Sequence, residues 1–247
     1  MSTLSVIVIT LNEEKNIDRC LESVEWANEV IVLDSGSVDK TCEISKSYSN
    51  VRVYSQDWLG FGAQKNKALS YTTKDWVLWL DADEVLSAEL TIEIKKQLEK
   101  PSAECFKFKR QSYFLGKLIK HGDWGRDYVT RLFRKGVAEF TNDAIHERLE
   151  ISKDQVSLMP GMLFHYTQDS ISISLKKCNT YSDQTSLRLF QKGKKSGLLK
   201  AVFHKHWTFF RCYFMRLGFL DGGRGYMIAK LSAYGSFFKY VKLWEKG

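Results

Sequence analysis

The chain has little of what bends, staples or anchors a polypeptide. Only two prolines, Pro101 and Pro160, occur among 247 residues, which excludes a proline-rich linker. The five cysteines, at positions 20, 42, 105, 178 and 212, form no C-x-x-C pair. An odd, scattered set argues against a disulfide framework or a structural zinc and predicts a reduced, cytoplasmic protein. No apolar run approaches the roughly 18 residues of a membrane-spanning helix. The opening "MSTLSVIVITLNEE" has no basic region ahead of its short apolar stretch, so it reads as a strand and not as a signal peptide. The first strand is not followed by G-x-G-x-x-G, and G-x-x-x-x-G-K-[ST] occurs nowhere. A Rossmann dinucleotide site and a P-loop are therefore not expected.

What is present is ordinary globular composition, 44% hydrophobic and 27% charged, with an uneven charge. Residues 176–247 hold 15 Lys/Arg against 3 Asp/Glu, a balance of +12, whereas residues 1–175 hold 22 against 26, a balance of −4. A near-neutral body with a basic tail suggests an anionic partner for the tail. Nucleic acid is not expected, because the basic excess is confined to the tail and no DNA- or RNA-binding motif is visible.

Along the chain, Leu4–Thr10, Glu29–Leu33, Val51–Tyr54 and Trp76–Leu80 read as buried strands. Helical patterns separate them over Glu13–Val24, with Asn12 as N-cap, and Asp39–Ser49; Gly60–Ser70 reads as a loop entering a helix, and another helix covers Ala88–Lys100. This alternation predicts an α/β fold with a mostly parallel sheet flanked by helices. Phe106–Arg110, Thr130–Phe133 and a segment within 157–167 read as further strands. From about residue 170 the pattern turns helical and basic, so residues 1–170 are expected as one domain and 171–247 as a helical extension. Within the extension, Leu199, Phe203, Trp207, Phe210, Phe214 and Leu217 form one apolar stripe.

In an open parallel sheet, ligands bind beyond the carboxyl ends of the strands. Three predicted strand ends carry polar groups: Thr10-Leu11-Asn12-Glu13, Asp34-Ser35-Gly36-Ser37 and Asp81-Ala82-Asp83-Glu84. The last is the most demanding, since Asp81, Asp83 and Glu84 repel one another unless something positive neutralises them. Two aspartates one residue apart can serve Mg²⁺ or Mn²⁺ shared with substrate phosphates. They can equally form a solvated acidic turn capping the helix that begins near Ser87. Lys65, in "GFGAQKNKA", is placed where a cation could meet a phosphate.

The blocks "VIVITLNEEKNIDRCLESV", "EVIVLDSGSVDKT", "GFGAQKNKALS" and "DWVLWLDADEVL", in this order and spacing, resemble family 2 glycosyltransferases of the GT-A, Rossmann-like fold. In the second half, "RDYVTRLFRKGVAEFTNDAIHERLE" and "YFMRLGFLDGGRGYMIAKLSAYGSFFKYVKLWE" are similar to bacterial lipopolysaccharide-core glycosyltransferases that add a β-linked glucose to inner-core heptose. The resemblance implies a UDP-sugar donor, a lipid A-core type acceptor, a divalent cation and a place at the cytoplasmic face of the inner membrane. It implies that Thr10, Asn12 and Glu13 line the uridine pocket and that Asp34 accepts a hydrogen bond from uracil, with Ser35 and Gly36 beside it. Lys65 and Asn66 would lie near the diphosphate, Asp81 near the ribose or donor sugar, and Asp83 on the metal. Glu147 of "IHE" would be the general base, with Asp127 as a rival. The family's more familiar Glu-Asp acceptor motif is absent.

Several residues keep two readings. His146 could bind metal or phosphate, or hydrogen-bond a loop. Trp124 could stack on a sugar or simply pack. Arg131 could face the acceptor and phosphates or be solvated. The tail stripe, with Lys200, Lys205, Arg211 and Arg216 around it, could lie on lipid or pack against the core or another subunit. A nucleotidyltransferase using the paired aspartates is the alternative enzyme class, although "TLNEE" makes a poor phosphate-binding loop.

Overall fold

The computed structural model describes residues 2–141, 149–168 and 170–247. The chain divides into two compact units, one of Met1–Arg110 with Tyr128–His165, the other of Gln111–Asp127 with Tyr166–Gly247.

The first unit begins with four parallel strands, β1 (Leu4–Thr10), β2 (Glu29–Asp34), β3 (Val51–Ser55) and β4 (Trp76–Asp81). Helices α1 (Ile17–Glu22), α2 (Thr41–Lys46) and α3 (Phe61–Ser70) connect them. A three-residue strand, β5 (Glu84–Leu86), follows β4 and leads into α4 (Ala88–Glu99), whose N-cap Ser87 accepts the Leu90 amide through its Oγ at 3.1 Å. The later strands are β6 (Cys105–Phe114), β7 (Lys117–Leu118), β8 (Asp127–Arg134) and β9 (Val156–Gln168). Among the described residues the sheet has nine strands in the order β3-β2-β1-β4-β8-β6-β9-β5, with β7 paired to β6. The β4–β8 and β5–β9 pairs are antiparallel.

The uninterrupted apolar runs of β1 and β2 follow from burial on both faces. Val6, Val8, Val30 and Val32 pack with Ile17, Leu21, Leu90 and Ile94 on one side. Ile7, Ile31 and Leu33 pack with Ala68, Val77 and Phe133 on the other. Each such Val, Leu or Ile contributes about 1.5–3 kcal/mol by leaving water.

The predicted strands and helices are all found, with shorter first helices than their periodicity suggests. Asn12 is not the N-cap of α1, which is preceded by Asn16. Asn12 stands at φ 55°, a left-handed conformation Asn tolerates, and its Oδ1 accepts the Val38 amide at 2.9 Å. That bond to a residue 26 positions along the chain takes the side chain away from its own helix.

In the second unit, α5 (Ile171–Gln191) and α6 (Leu198–Phe210) both pack against α7 (Gly222–Glu245). A π-helical turn over Arg211–Met215 and a left-handed Leu217 separate α6 from α7. Segment 111–127 belongs to this unit through specific polar contacts. Asp221 accepts the His121 amide at 2.8 Å, and Asp123 is bridged by Arg211 at 2.7 Å and Arg216 at 2.5 Å. Gly225 must be glycine, because a Cβ there would lie 1.9 Å from the Gly218 carbonyl oxygen.

Candidate active site

The site is built where β1, β2 and β4 end together. Thr10 is in register with Asp34, and Ile9 with Asp81. Asp34, at the end of β2, is buried and collects four donors. They are Thr10 Oγ1 at 3.0 Å, Ser37 Oγ at 2.5 Å and the amides of Gly36 and Ser37 at 2.9 and 2.8 Å. Burial pushes the Asp34 carboxyl up, but the Ser37, Thr10 and Gly36 hydrogen bonds outweigh it and hold it below the usual carboxylate range. Gly36, at φ 95°, makes the turn that aims these amides. Ser35 accepts Gln64 Nε2 through its Oγ at 3.0 Å. Asn12 and Glu13 close the same corner: their amides donate to Ser37 Oγ and Thr41 Oγ1, each at 2.8 Å.

At the end of β4, two of the three acids that looked mutually repulsive meet arginines, and the third faces an imidazole. Arg131, on β8, is 1% exposed and donates through Nη2 to Asp81 Oδ2 at 2.8 Å and to Glu84 Oε1. Glu84, fully buried, also receives Arg110 Nη1 at 3.0 Å, and its other oxygen accepts the Asp81 amide at 3.1 Å. Asp83 faces His165 Nε2 at 3.3 Å. Burial raises the Asp81 carboxyl, but Arg131 first, then Lys65, His165 and Arg110, hold it well below its ordinary range. Both cations next to Asp81 rest on one ring. Arg131 Cζ lies 3.3 Å and Lys65 Nζ 3.7 Å from the centroid of Trp79, whose indole N–H donates to the Thr130 carbonyl at 3.0 Å. An aromatic face in a desolvated setting stabilises such cations by about 2 kcal/mol.

Thr10, Asn12, Glu13, Asp34, Ser35, Gly36, Lys65, Asp81 and Asp83 thus lie on or beside these strand ends. Asn66 is used differently: its Nδ2 donates to the Phe140 carbonyl at 2.8 Å and its Oδ1 accepts the Phe140 amide at 2.9 Å, so it ties down that segment. Arg131 is not solvated; its Nη2 donates to both Asp81 and Glu84. Trp124 and Asp127 belong to the second unit, where the Trp124 ring packs edge-on against Phe114 at 5.7 Å. His146 and Glu147 lie outside the described residues. The residues that sequence reasoning missed are Trp79, Arg110 and His165. His165 meets Asp83 because β9 pairs with β5 in a register that sets it opposite Glu84. No local spacing signals that pairing.

The model of glycosyl transferase family 2 matches residues 5–151, which include Thr10, Asp34, Lys65, Asp81, Asp83 and Arg131 but not His165. The chain belongs to glycosyl transferase family 2. An uncharacterised glycosyltransferase of Rickettsia bellii is 32% identical to this transferase over 98% of its chain and 86% of the relative's length. The lipopolysaccharide core biosynthesis glycosyltransferase LpsC of Rhizobium meliloti is 27% identical over 98% of this chain and 92% of its own. S. aureus TarS 1–349, solved with UDP-GlcNAc, superposes with a TM-score of 0.51 at 14% identity, covering 98% of this transferase and 90% of TarS. That likeness shows the shared fold: a helix-flanked, largely parallel sheet continued by helices.

The donor chemistry of the strand-end cluster fits a hard divalent cation in part. Asp83 and His165 offer an oxygen and a nitrogen to one point, and Mg²⁺ and Mn²⁺ accept one or two protein ligands and complete their shells with phosphate oxygens and water. Among the described residues no three His, Cys, Asp or Glu side chains converge as a self-sufficient metal cage.

Proposed function

We propose that this family 2 enzyme transfers glucose, with inversion, from a UDP-sugar to a heptose of a lipopolysaccharide inner core. The observation that carries the reading is the convergence of Asp34, Asp81 and Asp83 on one sheet edge, each held by its own donors. The similarity to LpsC over nearly the full length of both chains supports the acceptor class.

In this reading, Asp34 accepts the uracil N–H, and the corner formed by Thr10, Asn12 and Glu13 holds the uridine. Asp81 meets the ribose or donor sugar. Asp83 and His165 would hold a divalent ion, which when bound would supply positive charge beside the diphosphate. Lys65 and Arg131 add to that field from beneath the site. Glu147 removes the proton of the attacking hydroxyl, with Asp127 as the rival base. Direct displacement by that hydroxyl forms the new glycosidic bond as the bond to UDP breaks, so configuration inverts. An acceptor carried on lipid places the enzyme peripherally at the cytoplasmic face of the inner membrane.

The deciding experiment is a screen of nucleotide sugars for hydrolysis and for transfer to heptose-terminated core, with and without Mn²⁺. UDP-glucose is expected to be turned over in a Mn²⁺-stimulated reaction. Turnover of another nucleotide sugar alone would overturn the donor assignment, and equal rates after chelation would overturn the metal.

A further inference from the structure

Helix α6 is built inside out. Its inward positions are small: Ala201 is fully buried and Thr208 nearly so, and Cys212 continues that line on the π-helical turn. Its large apolar residues point to solvent, with Leu199 89%, Phe203 65%, Phe210 49% and Phe214 49% exposed. A helix that packs only in water does the reverse, burying its wide apolar stripe. The exposed character continues past the helix, where Met215 and Leu220, in the turns before α7, are 57% and 55% exposed. A contiguous apolar surface of this kind marks an interaction site.

The charge around it is one-sided. From Gln184 through Leu220 the chain holds eight Lys/Arg and no Asp or Glu. Lys192, Lys194, Lys195 and Lys200 are exposed just before and within the first turn of α6. An apolar stripe bordered by lysines, with Trp207 on the helix, is the composition of an interfacial helix. No helix among the described residues is long and apolar enough to cross a membrane.

We propose that the exposed face of α6 and the turns after it dock on an anionic lipid bilayer, the helix lying in the plane of the interface. The inference deepens the reading above and rests on it for the lipid-linked acceptor. A second copy of this chain fits the face poorly. A two-fold contact sets each patch against itself; Arg211 and Arg216 are neutralised by Asp123, but the other six cations of this segment would be brought against their own copies. Anionic headgroups neutralise the same charges, each lysine or arginine near the surface adding to the attraction.

The test is co-sedimentation of the full chain with vesicles of phosphatidylcholine and phosphatidylglycerol, 3:1 or pure phosphatidylcholine, at low and high salt. Strong partitioning to the anionic vesicles, weakened by salt, is expected. Two variants separate the contributions: Phe203→Glu with Phe210→Glu, and Lys194→Glu with Lys195→Glu and Lys200→Glu. Each is expected to lower the partition coefficient by tenfold or more while leaving UDP-sugar hydrolysis unchanged, which also reports an intact fold. Absence of binding to anionic vesicles, or undiminished binding by both variants, overturns the proposal. So does a dimer in sedimentation equilibrium that the Phe→Glu variant dissolves, or salt-sensitive binding to DNA in place of vesicles. Transfer to soluble core acceptor without vesicle binding overturns the docking surface alone. Vesicle binding without any sugar transfer overturns the reading of the active site alone.

Discussion

His165 Nε2 lies 3.3 Å from Asp83 Oδ2, although Asp83 sits in the turn between β4 and β5 and His165 on β9, far along the chain. A carboxylate and an imidazole at this separation can share a divalent ion with a diphosphate. Asp83→Ala is expected to abolish Mn²⁺-stimulated UDP-sugar turnover without unfolding the protein. His165→Ala is expected to reduce it by at least about 10–100-fold. Mn²⁺ titration of turnover checks both, and full activity in either variant removes that residue from the site.

Arg131 holds Asp81 and Glu84 at once, from a position with almost no access to water. Removing one partner of a buried ion pair leaves an uncompensated charge, which costs about 3–5 kcal/mol. Arg131→Met should therefore lower stability by about that amount in urea denaturation. Adding Glu84→Gln should recover part of the loss, because the stranded carboxylate is gone. Additive losses in the double variant would show that the pair is not coupled.

Asp34 bears on acid stability. Its folded carboxyl titrates below its unfolded value of about 3.9, because the Ser37, Thr10 and Gly36 donors favour the ionised form over the opposing effect of burial. Its contribution is therefore fully present above the unfolded value and is lost as pH falls through the folded one. Asp34→Asn should be less stable than the parent at neutral pH, with the difference shrinking below about pH 4. Urea midpoints measured from pH 7 to pH 2 decide it; a difference that stays constant over that range would argue against the donors acting on the charge.

Glu147→Gln tests the base. It should retain UDP binding, read by calorimetry, and lose about 10²–10⁴-fold in transfer. Near-parental transfer would pass the role to Asp127, and Asp127→Asn in the same assay would then show the loss.

The strand ends that carry Thr10, Asp34, Asp81 and Asp83 are legible in the linear sequence. Short, β-branched, uninterrupted apolar runs read as doubly buried strands, and a polar cluster ending such a run then emerges at the sheet's edge. The alternation of runs with helical periodicity likewise determines a parallel, helix-flanked sheet. Asn66 was not legible, since its side chain answers to Phe140, far along the chain. Nor were the partners of the acidic cluster. Arg131, Arg110 and His165 come from strands whose pairing and register arise only on folding, and each ion pair is decided by that register. The same holds for the tail: spacing alone shows that Leu199, Phe203 and Phe210 share a face of α6, but not which way it turns. Packing against α7 decides it, because Ala201 and Thr208 allow a close approach that the larger side chains opposite them would prevent.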